Sequence, residues 1–171
     1  MIPNGGQWDE RIEYKVDLQM GEMLVEKDGF TFFLNDAVQT MRHTHGEGEA
    51  DHETPDSFQA QVIRSKFQGS AWKGKVEKLD SSTHYSNYIL GNDPSKWANF
   101  LYSYSRISMV DYYEGIDLVL DGRQGQLKYS LELNAGVDPA QIVMNYDGYD
   151  ELFLDEEGNL HITNRFGEII E

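Results

Sequence analysis

The feature that most limits what this chain can fold into is an apolar alternation with a period of two, repeated in strand-length runs. Ile12, Tyr14, Val16 and Leu18 share one face, as do Phe30, Phe32 and Leu34. Phe58, Ala60 and Val62 follow, then Tyr102 and Tyr104, then Leu127, Tyr129, Leu131 and Leu133, then Ile142, Met144 and Tyr146. Successive side chains of a strand point to opposite faces of a sheet, so each run predicts a half-buried strand. Turn residues separate the runs at Lys27-Asp28-Gly29, Asn92-Asp93-Pro94, Asp121-Gly122, Asn134-Ala135-Gly136, Asp147-Gly148 and Glu157-Gly158-Asn159. Several of these predict hairpins. From Asp150 to Ile170 the segments ELFLD, NLHIT and GEIIE predict a meander. Together they predict an all-β fold, an antiparallel β-sandwich of many short strands with little helix. Only the stretch after Asp93-Pro94-Ser95, over Lys96 to Phe100, reads as a single helical turn. No repeat with a period of about 20–50 residues is present, which argues against a propeller or solenoid within the chain.

At 171 residues the sequence suits one β-sandwich domain spanning 1–171. Residues 39–56 interrupt the alternation with a polar, acidic, His-bearing stretch, predicted to be a mobile surface loop. The closing Glu168-Ile169-Ile170-Glu171 lies inside an apolar, strand-like pattern, so a longer natural chain is expected. The opening has no basic region followed by an apolar stretch, so any secretion signal is expected to lie outside this sequence.

Charge narrows the partners. Fourteen Lys and Arg against thirty Asp and Glu leave a formal charge of −16, which repels phosphate backbones and anionic membrane surfaces. Nucleic acid is therefore not an expected partner. No apolar run approaches the ~20 residues that a membrane helix needs, so no membrane insertion is expected. With no cysteine, disulfides, thiolate metal sites and thiol nucleophiles are absent.

His43, His45 and His52 lie among Glu47, Glu49, Asp51, Glu53 and Asp56, and offer the ligand types of a zinc or copper site. A flexible acidic tract supplies no surrounding hydrogen bonds to hold such ligands, so solvated charge is the plainer reading. A metalloprotease helix is excluded, because His52-Glu53 is followed by Pro55 and Asp56 where a second His is required. Asp117, Asp121 and Gly122 match part of a calcium-binding EF-hand loop, but Val119 and Lys128 occupy ligand positions. A calcium site built from edge carboxylates such as Asp93, Asp138 or Asp147 competes with their ordinary use in turns. No cofactor is expected. Trp8 and Trp97 sit in turn-like contexts, where a large ring is expected to pin a loop over the sheet.

Several segments recur in order: Ile2-Pro3-Asn4-Gly5-Gly6-Gln7-Trp8, Leu24 to Phe30, Asn87-Tyr88-Ile89-Leu90-Gly91-Asn92-Asp93-Pro94-Ser95-Lys96-Trp97, Tyr113 to Leu120, Leu127-Lys128-Tyr129 and Gly136-Val137-Asp138-Pro139-Ala140-Gln141-Ile142. With them the chain resembles an uncharacterised N-terminal domain of large secreted Bacteroidetes proteins. There it precedes propeller-type repeats or immunoglobulin-like and PKD-like modules, and a gliding-motility-associated signal ends the chain. The resemblance covers nearly the whole sequence apart from the His43 to Asp56 loop. Ser130 departs from it, since relatives carry an acid there. The resemblance implies no catalytic residue, and it implies secretion or display at the cell surface.

The residues singled out for structural roles are Trp8, Gly91, Asn92, Asp93, Pro94, Trp97, Gly115, Asp117, Gly136 and Pro139. Asn92-Asp93-Pro94 is expected to form a turn that Trp97 closes by packing under it, and loss of the ring would cost ~3–5 kcal/mol if it is buried. Gly115 and Gly136 are expected to adopt backbone conformations closed to other residues. The leading expectation is a non-catalytic adhesion or scaffolding module, whose partners are neighbouring domains of its parent chain or an extracellular protein. The alternative is a glycan-binding module, which two or more exposed coplanar aromatic rings would support. A carboxylate-based glycoside hydrolase would require a cleft holding two acids with opposing pKa shifts.

Overall fold

The computed structural model describes residues 1–35, 59–123 and 126–171. Its strands are β1 (Ile2–Pro3), β2 (Ile12–Leu18), β3 (Gly21–Glu26), β4 (Gly29–Asn35), β5 (Ala60–Gln68), β6 (Val76–Tyr88), β7 (Ala98–Tyr113), β8 (Ile116–Asp121), β9 (Lys128–Leu133), β10 (Val143–Asp147), β11 (Glu151–Leu154), β12 (Leu160–Asn164) and β13 (Gly167–Ile170). Three antiparallel sheets result, in the orders β1-β2-β3-β4-β5-β10, β6-β7-β8-β9 and β11-β12-β13. Among the described residues the helical turns are two 3-10 turns, Pro94–Lys96 and Pro139–Gln141. The expected all-β, antiparallel, sandwich-like architecture is what the chain adopts.

The first two sheets face each other across one core. Phe30, Phe32, Leu34, Ile63 and Phe67 line it from the first sheet, and Ile107, Met109, Ile116, Leu118 and Leu120 line it from the second. Phe67 is packed edge-on against Phe30, Tyr112 and Tyr129, a ring geometry that exceeds simple area burial in its stabilisation. Ile162 of β12 enters the same core, so the meander is joined to the body through a fully buried side chain.

The alternation in β2 to β4 matches the core face, with Tyr14, Phe30, Phe32 and Leu34 buried. In β5 the phase is opposite to the expected one: Ile63, Ser65 and Phe67 point inward and Ala60 is exposed. Arg64 and Lys66 decide this, because the other register would bury two cations with nothing to pair them. The predicted helical turn after Asp93 is also shorter than expected, since Ala98 already begins β7.

The two large sheets meet where the N-terminal segment crosses β7. Tyr104 N donates to Met1 O at 2.8 Å, and Met1 N donates to Tyr104 O at 2.7 Å. Beyond that crossing, β6 and the first part of β7 continue as a hairpin whose first strand is exposed along nearly all of its length.

Candidate functional site

The β6–β7 hairpin is irregular by construction of its sequence. Its register shifts between Ser81 and Tyr85 and again between Ser86 and Tyr88. Such bulges twist an edge strand and re-aim its side chains. Asp80 and Phe100 have φ of 54° and 57°. The left-handed region costs an L-residue about 1–2 kcal/mol, and an aromatic residue there is uncommon. The Phe100 N–H donates to Asn87 Oδ1 at 2.9 Å, which ties the strained residue across to β6.

The consequence is a group of rings facing solvent. Tyr85, Phe100 and Tyr102 are 49%, 64% and 40% exposed. The Tyr85 ring lies 4.9 Å from Phe100 at 55°, and 6.0 Å from Tyr102 at 67°. Ile89 and Leu90, in the connection between the strands, are exposed as well. Residues 81–105 carry only Asp93 and Lys96 as formal charges, so this hairpin is neutral in a chain of charge −16. Isolated exposed apolar residues need no explanation, whereas a contiguous set on a bulged edge points to a contact surface. The rings are tilted rather than coplanar, so the flat platform that would support glycan stacking is not formed.

The turn at the hairpin end is built as expected on Asp93. Its carboxylate accepts from Ser95 N at 3.0 Å and from Ser95 Oγ at 2.7 Å, which caps the 3-10 turn begun by Pro94. These bonds hold the Asp93 carboxyl below the usual carboxylate range. Trp97 corrects the expectation of a buried ring. It is 38% exposed, and its indole N–H donates to Gly91 O at 3.3 Å, so it braces the turn from the side. Gly91 itself has φ of 70°, and Asn92 is exposed beside it.

The other residues singled out in the sequence lie elsewhere and serve the frame. Asp117 Oδ1 accepts from Asp111 N at 2.8 Å and holds Asp111 at φ 52°, where the β7–β8 register shifts. Gly115 has φ of 71°, and a Cβ there would lie 2.8 Å from Val137 Cγ2. Gly136 has φ of 87° with open space around it. Asp138 repeats the Asp93 arrangement, accepting from Ala140 N at 2.9 Å with Pro139 opening the second 3-10 turn. Trp8 packs edge-on against Tyr88 at 5.4 Å, with Lys15 Nζ 5.9 Å from its ring, and so pins the N-terminal loop near the turn end of the hairpin. The structure does not gather these residues into one site.

His43, His45, His52 and the loop 39–56 lie outside the described residues. Among the described residues no group of three His, Asp or Glu is placed to hold a metal ion. A cleft of about 760 Å³ at the hairpin base is lined in part by Asp17, Asp80, Ser103 and Ser105. Among the described residues the carboxylates with shifted pKa are Asp9, Asp93, Asp121 and Asp155, all moved down and none in this cleft. Hydrogen bonds from Arg123 bring Asp121 to about 2. A general acid requires the opposite displacement. Among the described residues no helix is long and apolar enough to cross a membrane.

Fold and surface together define an all-β antiparallel sandwich domain that carries an exposed aromatic hairpin. The chain belongs to the family described as domain of unknown function DUF7948, which it matches over residues 1–171. No curated protein and no solved structure matches it.

Proposed function

We propose that this chain is a non-catalytic β-sandwich module of an exported, multi-domain bacterial surface or secreted protein, and that it works in adhesion or scaffolding through its β6–β7 hairpin. The observation that carries this reading is the exposed Tyr85–Phe100–Tyr102 group, with Phe100 held at φ 57°. Aromatic residues on a rigid element supply large contact area at low entropic cost, and they dominate binding energy at protein interfaces. The resemblance to N-terminal domains of large secreted Bacteroidetes proteins supports the parent context and makes neighbouring domains of that chain the first partners to test.

The experiment is titration of this domain with the adjoining parts of its parent chain, supplied in trans, beside a Tyr85→Ser/Phe100→Gly variant. Binding that weakens about 30-fold or more in the variant is the expected result, as for loss of a central aromatic anchor. Binding that the variant leaves unchanged would remove the hairpin from the interface. Neutral polysaccharide is the second reading; it rests on the hydroxyl- and amide-rich composition of residues 81–105 alone, since the tilted rings offer no flat platform. A thermal-shift panel of polysaccharides, Ca²⁺, Zn²⁺ and EDTA separates the two. Saturation at about 100 times Kd adds about 2.7 kcal/mol, a rise of several degrees for a domain of this size.

A further inference from the structure

A second surface, far from the hairpin in sequence, has a different chemistry. Around β11 the chain from 147 to 164 contains no Lys or Arg and carries Asp147, Asp150, Glu151, Asp155, Glu156 and Glu157. Within this acidic stretch stands β11, whose residues Leu152, Phe153 and Leu154 are all exposed. The strand is an edge: it pairs with β12 on one side, and no described strand pairs with it on the other. Alternate N–H and C=O groups of such an edge point outward and are available to a further strand.

The sheet face shows where that strand would lie. Leu152 stands opposite Ile162, and Ile162 opposite Ile169, so the three form one apolar row across the meander. Ile162 is fully buried at the centre of the row, while Leu152 is 38% exposed at its end. In the next row Leu154 stands opposite Leu160 and is 68% exposed. The apolar layer thus extends one strand further than the body covers it. The other face of β11 is braced, with Phe153 stacked on His161 at 4.9 Å and 3°. The His161 ring in turn is held between Glu168 Oε2 at 2.9 Å and Asp155 Oδ2 at 3.1 Å.

We propose that the free edge of β11 accepts an added β-strand from a partner, one in which apolar residues alternate with lysine or arginine. Its backbone pairs with β11, its apolar side chains cover Leu152 and Leu154, and its cations meet Glu151, Glu156 and Glu157. A second copy of this chain is the poorer occupant, because edge-to-edge pairing would set the same carboxylates against each other. The inference is independent of the hairpin reading.

The test uses the whole chain and a short synthetic peptide alternating valine with lysine. The control peptide has the same composition in two blocks, which keeps the charge and removes the alternation. Expected are tighter binding of the alternating peptide by about tenfold or more, slowed amide exchange confined to β11, and loss of that preference in Leu154→Lys. Leu154 is exposed enough for this variant to fold, and an inward charge at an edge strand blocks pairing. Phe100→Gly should bind the peptide as the natural chain does, so failure here and failure of the hairpin reading are distinguishable. Equal affinity for the two peptides, protection outside β11, or unaltered preference in Leu154→Lys would overturn the proposal. Concentration-dependent self-association that Leu154→Lys abolishes would overturn it in favour of a second copy.

Discussion

At the residue scale the molecule separates side chains that hold the frame from side chains that face outward. Gly115 and Gly136 both have positive φ, but only Gly115 has a neighbour where a Cβ would stand. Gly136→Ala should therefore cost about 1 kcal/mol for the backbone alone, and Gly115→Ala about 2–3 kcal/mol, read from urea unfolding. Equal losses would remove the Val137 contact from the account. Trp97→Ala should cost about 1 kcal/mol in the same assay, the worth of one hydrogen bond and some ring contact. A loss of 3 kcal/mol would restore the buried ring expected from the sequence. The turn chemistry around Trp97 was readable, because an Asp before Pro and Ser has few better uses than capping. The exposure of the ring was not, since it depends on what the rest of the hairpin leaves uncovered.

At the element scale, β2 and β4 could be read from the chain because their apolar alternation is regular and a turn with Asp28 and Gly29 precedes β4, whereas β3, joined to β2 through Gln19 and Met20, carries no such turn signal and was not singled out. β5 misled, since Ala60 and Val62 alternate as well as Ile63 and Phe67 do, and only the cations at 64 and 66 settle the face. Ile63→Ala should cost about 2–5 kcal/mol and Val62→Ala under about 1.5 kcal/mol, a difference that denaturant titration of the pair measures directly. β6 gave no signal, because both of its faces are exposed and its residues carry no period. The site it forms with β7 was correspondingly hidden, and Phe100 at a positive φ follows no sequence rule. In the meander, His161 is held by Glu168 first and Asp155 second, which raises its pKa above the ordinary ~6.5. A raised folded pKa contributes stability that is fully present below 6.5 and is lost as pH rises through the folded value. Amide exchange in β12, corrected for its intrinsic pH dependence, should accelerate as pH is raised past 6.5. His161→Gln should abolish that dependence, and its persistence in the variant would assign it to another group.

Over the whole molecule, the two larger sheets share one core, the meander is tied to it through Ile162, and the hairpin rings lie outside it. The charge of −16 leaves out the hairpin, whose residues 81–105 sum to zero. A body that repels most anionic surfaces thus carries a neutral aromatic element on which contact is not opposed. The account rests on that division: the sandwich stands without the rings, and the rings are held out for a partner. Equilibrium urea unfolding of Phe100→Gly beside the natural chain tests it most directly. Relief of the left-handed strain should offset the lost ring contacts and leave global stability within about 1 kcal/mol. A loss of about 3 kcal/mol or more would make Phe100 a packing residue and contradict the reading of the hairpin as a contact surface.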